Sequence, residues 1–471
     1  MHIRKTKIVA TIGPASSSER EITGMIHAGM NVARLNFSHG THEEHSDVMQ
    51  TIRDASDKLH IPVAIMQDLS GPKIRIGMFE TETIHLKKEA DFTLTTEEIV
   101  GNEERVFVNY KNLPSEVFEG SHIMLDDGKI KLRVKSVRGE NIHCEVIAGG
   151  TIRGARGVNV PGTVLSIGCL SKKDKEDLML GIKEKVDFVA LSFVQNADDV
   201  HHLRKILHEH KSRIAIIAKI ETEEAVKNID EIIEEADGIM IARGDLAVEI
   251  PAEDVPLMQK MIIKKAITAG KPVITATQML DSMIHSSVPT RAEVSDVSNA
   301  ILDGTDAIML SGETATGDHP VLTIETMSRI ALRTEESENF QESVRRFKRV
   351  TKGVVDSVSL AVMTTAENIE AKAIIALSET GFTPRMISRH KPKQPIFVCT
   401  PHIETRNQTL LSFGCIPELC PHFTDLNEAS SYAKKFLENR KNLKEGDKFV
   451  LCAGIPFGKK GSTNLMLAQS I

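Results

Sequence analysis

Several short apolar runs of this chain end in charged or hydroxyl-bearing side chains. Lys219-Ile220-Glu221 closes one run and Arg243-Gly244-Asp245 closes the next. Further runs end in Arg34 to His39, in Gln67-Asp68 followed by Lys73 and Arg75, in Thr277-Gln278 and in Ser311-Gly312-Glu313. A single residue of this kind is ordinarily a solvated loop side chain. Six such ends indicate that the runs bring polar groups to one place.

The types of these side chains suit a phosphorylated substrate. Glu221 and Asp245 are hard carboxylates, which form a typical magnesium site together with substrate oxygens and water. Cationic side chains supply charge for phosphate and carboxylate oxygens: Arg34, Arg75, Lys219 and Arg243. Gly244 lets a substrate approach the backbone closely. Phosphoryl transfer requires mainly positioning and charge neutralisation, so the set predicts that reaction class.

The apolar runs alternate with amphipathic segments, which is typical of βα units. The runs are 7–12, 31–37, 63–67, 188–194, 214–220, 238–242, 273–276 and 307–310. Helical patterns follow most of them, for example over 43–59, 197–209 and 255–269. Eight such units predict an α/β fold, a (β/α)8 TIM barrel. The polar run ends then meet at the carboxyl-terminal mouth, where such barrels carry their active sites.

Two further domains are predicted from changes in this pattern. The segment 73–168 contains short strand-like runs with Asp127-Gly128 at a hairpin turn, which predicts a small β-barrel domain inserted after the third strand. After a polar stretch, βα alternation resumes, which predicts a separate C-terminal α/β domain. The predicted boundaries are 1–72 and 169–340 for the barrel, 73–168 for the insert and 341–471 for the last domain.

Composition argues against several classes of protein. The net charge of the 471 residues is −7, which disfavours a nucleic-acid binder. No run of about 18 apolar residues predicts a membrane span, and no signal peptide is expected. The six cysteines form no Cys-x-x-Cys pair, so reduced thiols in a cytoplasmic protein are expected. The common glycine-rich nucleotide motifs are absent, so a nucleotide would need other groups.

Longer motifs at the same run ends resemble the pyruvate kinase family. They are Thr11–Ser16 (TIGPAS), Asn31–Gly40 (NVARLNFSHG), Lys219–Glu221 (KIE), Ile241–Leu246 (IARGDL), Ala276–Met283 (ATQMLDSM), Pro289–Glu293 (PTRAE) and Ile308–Ala315 (IMLSGETA). With the inserted and C-terminal domains, the resemblance spans essentially the whole chain. It implies a phosphotransferase that passes the phosphoryl group of phosphoenolpyruvate to ADP, giving pyruvate and ATP in the last step of glycolysis.

The resemblance implies chemistry for individual residues. Arg34 should bind the substrate phosphate and lie near the nucleotide phosphates. Lys219 should stabilise charge on the phosphoryl group in flight, while Glu221 and Asp245 should hold Mg²⁺ or Mn²⁺. ADP attacks phosphorus and leaves the enolate of pyruvate, and magnesium and Lys219 offset the developing charge.

The resemblance also implies groups that bind the substrate and the nucleotide. The carboxylate region of phosphoenolpyruvate should meet the Gly244 backbone, Asp245 and Thr277. The nucleotide phosphates should meet a mostly polar set: Asn36, Ser38, His39, Arg75 and Arg156. The last of these reaches in from the inserted domain, which would act as a lid that excludes water.

Protonation of the enolate carbon is implied for a region and not for one donor. In the family, a hydrated path near Thr277, Ser311 and Glu313 serves this step. A second interpretation stays open for Ser311 and Glu313, because hydroxyl and carboxylate groups at such positions are common helix caps.

One residue near the third barrel strand departs from a frequent family pattern. Many relatives have glutamate where this chain has Lys73. The lysine form resembles bacterial enzymes that do not need potassium, because a tethered ammonium can replace a monovalent cation near phosphates. Activity without K⁺ is therefore expected, with a solvated hinge residue as the alternative for Lys73. Groups that resemble a potassium site are still present: Asn36, Ser38, Asp68 and the Leu69 carbonyl.

A loop in the C-terminal domain resembles the effector site of the family, which implies that this domain is regulatory. It closes a strand and opens a helix, which suits a phosphate. Its candidate binding groups are Ser378, Thr380, Gly381, Phe382 and Thr383. Relatives activated by fructose 1,6-bisphosphate tend to carry lysine where this chain has Glu379, and an acid there disfavours a doubly phosphorylated ligand. A monophosphate such as a sugar phosphate or AMP is expected, with a plain helix-capping turn as the alternative.

Two rival functions can be set against this interpretation. A magnesium-dependent lyase or aldolase also stabilises an enolate on such a barrel, but it would not need the lid or the pair Arg34 and Arg75. A non-catalytic metabolite sensor would be expected to lose Lys219, Glu221 or Asp245, which are all present.

The assembly and the end of the chain are less constrained by sequence. The family is usually a homotetramer, which is the assembly that the resemblance implies. The segment Thr463–Ile471 departs from the usual family ending, so the sequence leaves its final strand open.

Overall fold

The chain begins with alternating buried strands and amphipathic helices. The structure, a computed structural model, describes residues 3–346, 353–440, 443–458 and 461–471. The first elements are β1 (Lys7–Ile12), α1 (Glu19–Ala28), β2 (Val32–Asn36), α2 (His42–Leu59) and β3 (Ala64–Asp68). The strands are almost wholly buried because both of their faces are covered. Helix α2 starts at a capping box in which the side chains of Thr41 and Glu44 each accept from the other's backbone amide.

The chain then leaves the barrel for the predicted β domain. Its elements are β4 (Thr83–Leu86), β5 (Asp91–Thr95), β6 (Arg105–Phe107), α3 (Leu113–Glu116), β7 (His122–Leu125), β8 (Ile130–Arg138), β9 (Asn141–Ala148), β10 (Gly150–Arg153) and β11 (Val158–Asn159). The strands form a six-stranded and a two-stranded sheet around a core of their own. The predicted turn at Asp127-Gly128 joins β7 to β8, and both residues have positive φ.

Five further strands complete the barrel. The elements are α4 (Lys172–Lys183), β12 (Phe188–Leu191), α5 (Ala197–Glu209), β13 (Ala215–Ile220), α6 (Glu223–Lys227), α7 (Ile229–Glu235), β14 (Gly238–Ala242), α8 (Arg243–Glu249), α9 (Val255–Ala269), β15 (Val273–Ala276), α10 (Arg291–Leu302), β16 (Ala307–Leu310), α11 (Gly312–Ala315), α12 (Pro320–Glu335) and α13 (Glu338–Arg346). Eight parallel strands close in the order β1-β16-β15-β14-β13-β12-β3-β2. The predicted (β/α)8 barrel is confirmed.

Apolar side chains fill the barrel interior, so it is a packed core and not a channel. They include Val9, Val32, Met66, Ile217, Met240, Ile274 and Met309. The strand register sets the polar ends side by side at one mouth. Arg34 pairs with Thr11 across β1 and β2, and Asn36 pairs with Asp68 across β2 and β3.

The C-terminal domain is a separate sheet with helices. Its elements are α14 (Val354–Asn368), β17 (Ala373–Leu377), α15 (Phe382–Ser388), β18 (Ile396–Thr400), α16 (Ile403–Thr409), β19 (Cys415–Leu419), α17 (Leu426–Glu438), β20 (Lys448–Ala453) and β21 (Leu465–Ser470). The sheet order is β19-β18-β17-β20-β21, with β21 antiparallel to β20. The final strand that the sequence left open is therefore present. All six cysteines of the chain are free thiols, and five of them are buried.

Buried polar contacts dock this domain on the amino-terminal side of the barrel, opposite the mouth. Lys391 Nζ lies 2.7 Å from Asp306 Oδ1, just before β16. Asn407 Nδ2 donates to Asp187 Oδ1 at 2.9 Å, just before β12. None of the helices in the described ranges is long and apolar enough to cross a membrane.

Candidate active site

A buried cluster of charges lies at the carboxyl ends of β2, β3 and β13. Asp68 accepts from Arg34 Nε at 2.6 Å and from Lys219 Nζ at 3.2 Å, through different carboxylate oxygens. Arg34 Nη1 also donates to Thr11 Oγ1 at 2.8 Å. Asp68 is only 1% exposed, and each of the two cations is 9% exposed. The sequence predicts Asp68 only as a potassium ligand, whereas in the structure it holds both predicted catalytic cations, Arg34 and Lys219.

Mutual attraction keeps this cluster ionised. Burial alone would raise the pKa of Asp68, but Arg34 and Lys219 outweigh it and hold that pKa below its ordinary value. Burial alone would lower the pKa of Lys219, but Asp68 and Glu221 raise it above its ordinary value. The Lys219 side chain is therefore held as an ammonium at the mouth of the barrel.

Ser192 is a residue of this site that the sequence interpretation missed. Its hydroxyl accepts from Lys219 Nζ at 2.7 Å and donates to the Leu69 carbonyl at 2.8 Å. It directly follows β12, as the other site residues follow their strands. In the sequence the apolar run continues to Val194, so hydropathy places Ser192 inside a strand and does not mark it as a site residue.

Two acidic groups act on the Lys219 ammonium, Glu221 by direct contact and Asp245 through its charge. Glu221 Oε1 lies 2.8 Å from Lys219 Nζ, and Glu221 Oε2 accepts from the Phe193 amide at 2.7 Å. Burial, and next the negative charge of Glu221, raise the pKa of Asp245 to about 6. Within the described ranges, no side chain or amide donates a hydrogen bond to the Asp245 carboxylate. A buried acid with a like-charged neighbour and no donor is stabilised by a divalent cation, so the pair fits Mg²⁺.

The pair alone does not provide a full metal shell. In the part of the chain that the structure describes, no group of three or more His, Cys, Asp or Glu side chains has a metal-binding arrangement. Mg²⁺ commonly keeps waters and substrate phosphate oxygens in addition to one or two carboxylates. The donor set is therefore that of a cation shared with a substrate.

A strained turn follows β15 at the same mouth. Thr277 has φ +72° and Gln278 has φ +53°, which is rare for residues with a side chain and most of all for a β-branched one. Arg243 donates to the carbonyls of Ala276 at 3.1 Å and Thr277 at 2.7 Å. The Gly244 amide donates to Thr277 Oγ1 at 2.8 Å. Such strain is typical of functional sites, and the turn brings the predicted residues Gly244 and Thr277 together.

Ser311 and Glu313 lie in the turn after β16. The Glu313 carboxylate is 1% exposed and accepts from the Ser311 amide at 2.7 Å and the Leu280 amide at 3.2 Å. Both oxygens are thus occupied by backbone groups, as in the capping alternative. The Ser311 hydroxyl makes no hydrogen bond to any described residue, so it is available at the mouth. A part in proton transfer stays a prediction for both.

A cleft of about 1250 Å³, including its open side, separates the barrel mouth from the inserted domain. Its lining is strongly charged and includes Lys73, Arg75, Asp126, Asp127, Arg156, Glu223, Asp245 and Glu249. Arg156 Nε lies 3.4 Å from Asp126 Oδ1, and Arg75 Nη1 donates to the Ala155 carbonyl at 3.0 Å. The structure thus places both predicted nucleotide-binding arginines on this cleft.

Lys73 reaches the predicted potassium region. Its Nζ donates to Ser38 Oγ at 3.2 Å, and Ser38 Oγ donates to Ser70 Oγ at 3.1 Å. Asn36 Oδ1 accepts from the Ser38 amide at 3.1 Å. Each of the four suggested potassium ligands therefore has a protein partner, because Asp68 and the Leu69 carbonyl are also engaged. His39, the remaining predicted nucleotide contact, is exposed beside this region.

Comparison with known proteins identifies the family. The family model described as "Pyruvate kinase, barrel domain" matches residues 3–324, and the model described as "Pyruvate kinase, alpha/beta domain" matches residues 356–467. The chain belongs to the pyruvate kinase family. Because members of this family are phosphotransferases, the matches favour phosphoryl transfer over the lyase and sensor alternatives. The family generally uses Mg²⁺ and K⁺.

Individual pyruvate kinases resemble the chain over its full length. It is 46% identical to the pyruvate kinase of Geobacillus stearothermophilus, over 99% of this chain and 80% of that protein. It is 44% identical to the pyruvate kinase of Clostridium perfringens (strain 13 / Type A), over the whole of both. The crystal structure of a pyruvate kinase from Cryptosporidium parvum has a TM-score of 0.92 at 38% identity, covering 99% of this chain and 96% of that one.

The predicted effector loop lies in the C-terminal domain, apart from the pyruvate kinase barrel mouth. Gly381 has φ +74° and precedes α15. A pocket of about 520 Å³, including its open side, is lined by Ser378, Glu379, Thr380, Phe382 and Thr383 among others. Glu379 shares a 2.7 Å hydrogen bond with His402 Nε2. The Thr383 hydroxyl turns inward to Thr463 at 2.8 Å, so it is less available than predicted.

Proposed function

We propose that the chain transfers the phosphoryl group of phosphoenolpyruvate to ADP in the cleft between the barrel mouth and the inserted domain. The observation that carries this assignment is the Arg34–Asp68–Lys219 cluster beside Glu221 and Asp245. Asp68 positions the cationic side chains of Arg34 and Lys219 next to two carboxylates. These carboxylates suit a metal ion that also binds the substrate. Such an arrangement positions a phosphoryl group and neutralises its charge, which is the main requirement of the reaction.

Arg34 and Lys219 act on the phosphoryl group in this proposal. Asp68 fixes both side chains, so their charges are preorganised and need no rearrangement when the phosphoryl group moves. Glu221 and Asp245 would hold Mg²⁺, which supplies positive charge toward phosphate and enolate oxygens when bound. A raised pKa at Asp245 means that cation binding is favoured above about pH 6, where this carboxylate is ionised.

The turn after β15 would receive the carboxylate of phosphoenolpyruvate. The Gly244 backbone has no side chain in the way, and the Thr277 hydroxyl lies beside it. Asn36, Ser38 and His39 on the barrel would meet the nucleotide phosphates together with Arg75 and Arg156 on the cleft. Closure of the inserted domain over this cleft would exclude water from the transfer.

Protonation of the enolate carbon would use water near Thr277 and Ser311. The free Ser311 hydroxyl can order such a water. Glu313 would act as a positioning residue, because its carboxylate holds the Ser311 and Leu280 amides. This refines the sequence hypothesis, which grouped Glu313 with the catalytic residues.

Potassium is proposed not to be required. Lys73 Nζ sits on Ser38, one of the four residues that resemble potassium ligands. The Lys73 side chain is exposed, and this contact brings its positive charge close to where nucleotide phosphates would lie. This is the bacterial-type, lysine-containing variant that the sequence suggested.

Regulation, assembly and location complete the proposal. Glu379 lines the effector pocket, and its carboxylate shares a hydrogen bond with His402. His422 Nδ1 lies 3.7 Å from the same carboxylate. A carboxylate there opposes a second phosphate, which favours a monophosphate such as a sugar phosphate or AMP. The assembly is proposed as a homotetramer from family resemblance, and the location as the cytoplasm from the six free cysteines.

Pyruvate formation by the purified chain tests these assignments. The assay contains phosphoenolpyruvate, ADP and magnesium in potassium-free, ammonium-free buffer, and potassium is added afterwards. We expect activity that potassium barely changes and that Lys219→Met abolishes. Activity only with potassium would contradict the role of Lys73 but retain the reaction. No activity from folded, magnesium-binding protein in either buffer would contradict the reaction itself.

A further inference from the structure

A small polar groove lies where the C-terminal domain docks on the amino-terminal side of the barrel. Lys271 lines it from the barrel, between α9 and β15, and Arg385 and Arg389 line it from α15 and its end. Ser412 and Asp306 complete its polar lining. The groove has about 210 Å³ of space including its open side.

Two buried groups in this groove lack a hydrogen-bond partner. Arg389 Nε and Ser412 Oγ are both inaccessible and unpaired. Ser412 is 2% exposed, and the side chain of Arg389 is 9% exposed. The other Arg389 nitrogens are used, since Nη2 donates to Asp356 Oδ1 at 2.5 Å and Nη1 to the Thr268 carbonyl at 3.3 Å. Buried donors without partners are rare and indicate a missing acceptor.

The groove also carries an excess of positive charge. The Arg385 guanidinium forms no hydrogen bond or ion pair with any described residue. Lys271 Nζ donates only to the carbonyls of Glu234 at 3.2 Å and Ala236 at 2.6 Å, which do not neutralise its charge. Burial is the main cause that lowers the pKa of both side chains, as expected of cations without a close counter-ion.

The nearby acids are already engaged with other groups. Asp306 Oδ1 accepts from Lys391 Nζ and from the Phe413 amide, and Asp306 Oδ2 accepts from the Val273 amide. Asp237 attracts both Arg385 and Lys271 at longer range but forms its ion pair with Arg204 at 3.1 Å. The third nearby acid, Asp356, is the partner of Arg389. Lys271 and Arg385 therefore have no ion-pair partner among the described residues, and an anion would satisfy both the charges and the unpaired donors.

We propose that this groove binds a small phosphate-type oxyanion, either free inorganic phosphate or the phosphate group of a monophosphorylated metabolite. Because neither Arg389 Nε nor Ser412 Oγ is accessible in the unliganded groove, their side chains shift outward on binding, and one oxygen then accepts from both. The remaining oxygens face Arg385 and Lys271 at the open side. Because the arginines belong to the C-terminal domain and Lys271 to the barrel, the anion joins the two domains. The site is distinct from the effector pocket, which lies at the other end of α15.

Crystals of the whole chain soaked in selenate locate the anion by its anomalous signal. We expect a peak within hydrogen-bond distance of Arg389 Nε and Ser412 Oγ in the wild type. Arg385→Gln should lose this peak while it keeps any peak at the barrel mouth. Selenate bound only at the barrel mouth or the effector pocket, or water alone in the groove, would overturn the proposal.

Calorimetric titration with inorganic phosphate measures the same site in solution. Arg385→Gln and Ser412→Ala should each raise the Kd of inorganic phosphate at the groove at least about tenfold, because each variant loses a charge-assisted hydrogen bond to the anion. Lys434→Gln removes an exposed charge from the same domain and should change nothing. Equal binding by all four proteins would refute the site. Should Arg385→Gln fail to fold, Ser412→Ala decides, since it removes a single oxygen.

A parallel titration with a hexose monophosphate distinguishes the two sources of phosphate. Tighter binding than inorganic phosphate that is lost in Ser412→Ala would assign the site to a metabolite. Binding of inorganic phosphate alone would assign it to the free ion. The rate of pyruvate formation, measured without added inorganic phosphate or hexose monophosphate, should be unchanged in Arg385→Gln and Ser412→Ala. Neither residue lies at the barrel mouth.

Discussion

Replacing Ser192 with alanine tests whether this hydroxyl positions Lys219. The Lys219 ammonium has three partners: Ser192 Oγ at 2.7 Å, Glu221 Oε1 at 2.8 Å and Asp68 Oδ1 at 3.2 Å. The variant removes the shortest of these and leaves the two carboxylates. Lys219 should therefore stay charged. Its Nζ should be less well positioned, because only two of its three partners remain.

The size of the effect follows from the bond that is lost. A hydrogen bond to a charged group contributes about 1.5–3 kcal/mol. Because two partners remain, we expect the lower part of that range, about 1.5–2 kcal/mol. With about 1.36 kcal/mol for each factor of ten, kcat should fall roughly 10- to 30-fold. KM for phosphoenolpyruvate should change less, because Lys219 is proposed to act mainly on the phosphoryl group in flight.

Steady-state pyruvate formation at saturating magnesium measures this change. Ser388→Ala is the matched control, because Ser388 is also 2% exposed and also donates to a carbonyl, that of Phe413, far from the mouth. Both variants should lose a similar amount of thermal stability, but only Ser192→Ala should lose kcat. A kcat within twofold of the wild type in folded Ser192→Ala would refute the positioning role.

Three further substitutions test other parts of the structure. Lys73→Glu should cut activity more than about tenfold in potassium-free buffer, with recovery on adding KCl but not choline chloride, because the tethered charge is lost; equal activity in both buffers would contradict this. Burial raises the pKa of Asp187 to about 6, so the folded state binds this proton more tightly than the unfolded state and stability should fall as pH rises from about 4 to 6. Asp187→Asn should flatten that part of the profile in urea unfolding, and an unchanged slope would exclude Asp187 as its cause. Glu313→Gln should lower the unfolding midpoint and reduce kcat less than about tenfold, as expected of a positioning group; a loss beyond about a thousandfold at unchanged stability would indicate direct proton transfer.

Much of the barrel could be predicted because its strands are short, buried on both faces and closed by polar residues. The end of β12 shows where this signal fails. Phe193 and Val194 continue the apolar run after the strand has ended, so the turn at Phe193 (φ +55°) is not visible in hydropathy. For this reason the sequence pattern does not identify Ser192 as a site residue. The role of Asp68 was missed for another reason, since an acid at a strand end suits a cation site and an ion pair equally until distances are known.

The C-terminal sheet was harder to predict at its two edges. Strand β19 contains Pro417, and proline argues against a strand unless the strand lies at an edge, as β19 does. Strand β21 mixes apolar and polar residues without strict alternation, and its register depends on β20. The register of β21 is set by pairs such as Leu451 with Leu467. These pairs are contacts between strands and cannot be read from a local sequence pattern.

The docking contacts also set an order on the synthesis of the molecule. Asp306 sits beneath the seam where β16 meets β1, and its partners Lys391 and Phe413 are translated much later. Lys7 at the start of β1 likewise donates to the Cys415 carbonyl at 2.6 Å. While the ribosome is still making the last domain, these groups face water at the foot of the barrel, and docking later buries them against their partners. The first and last parts of the chain therefore complete this face together, once the C-terminal domain has emerged.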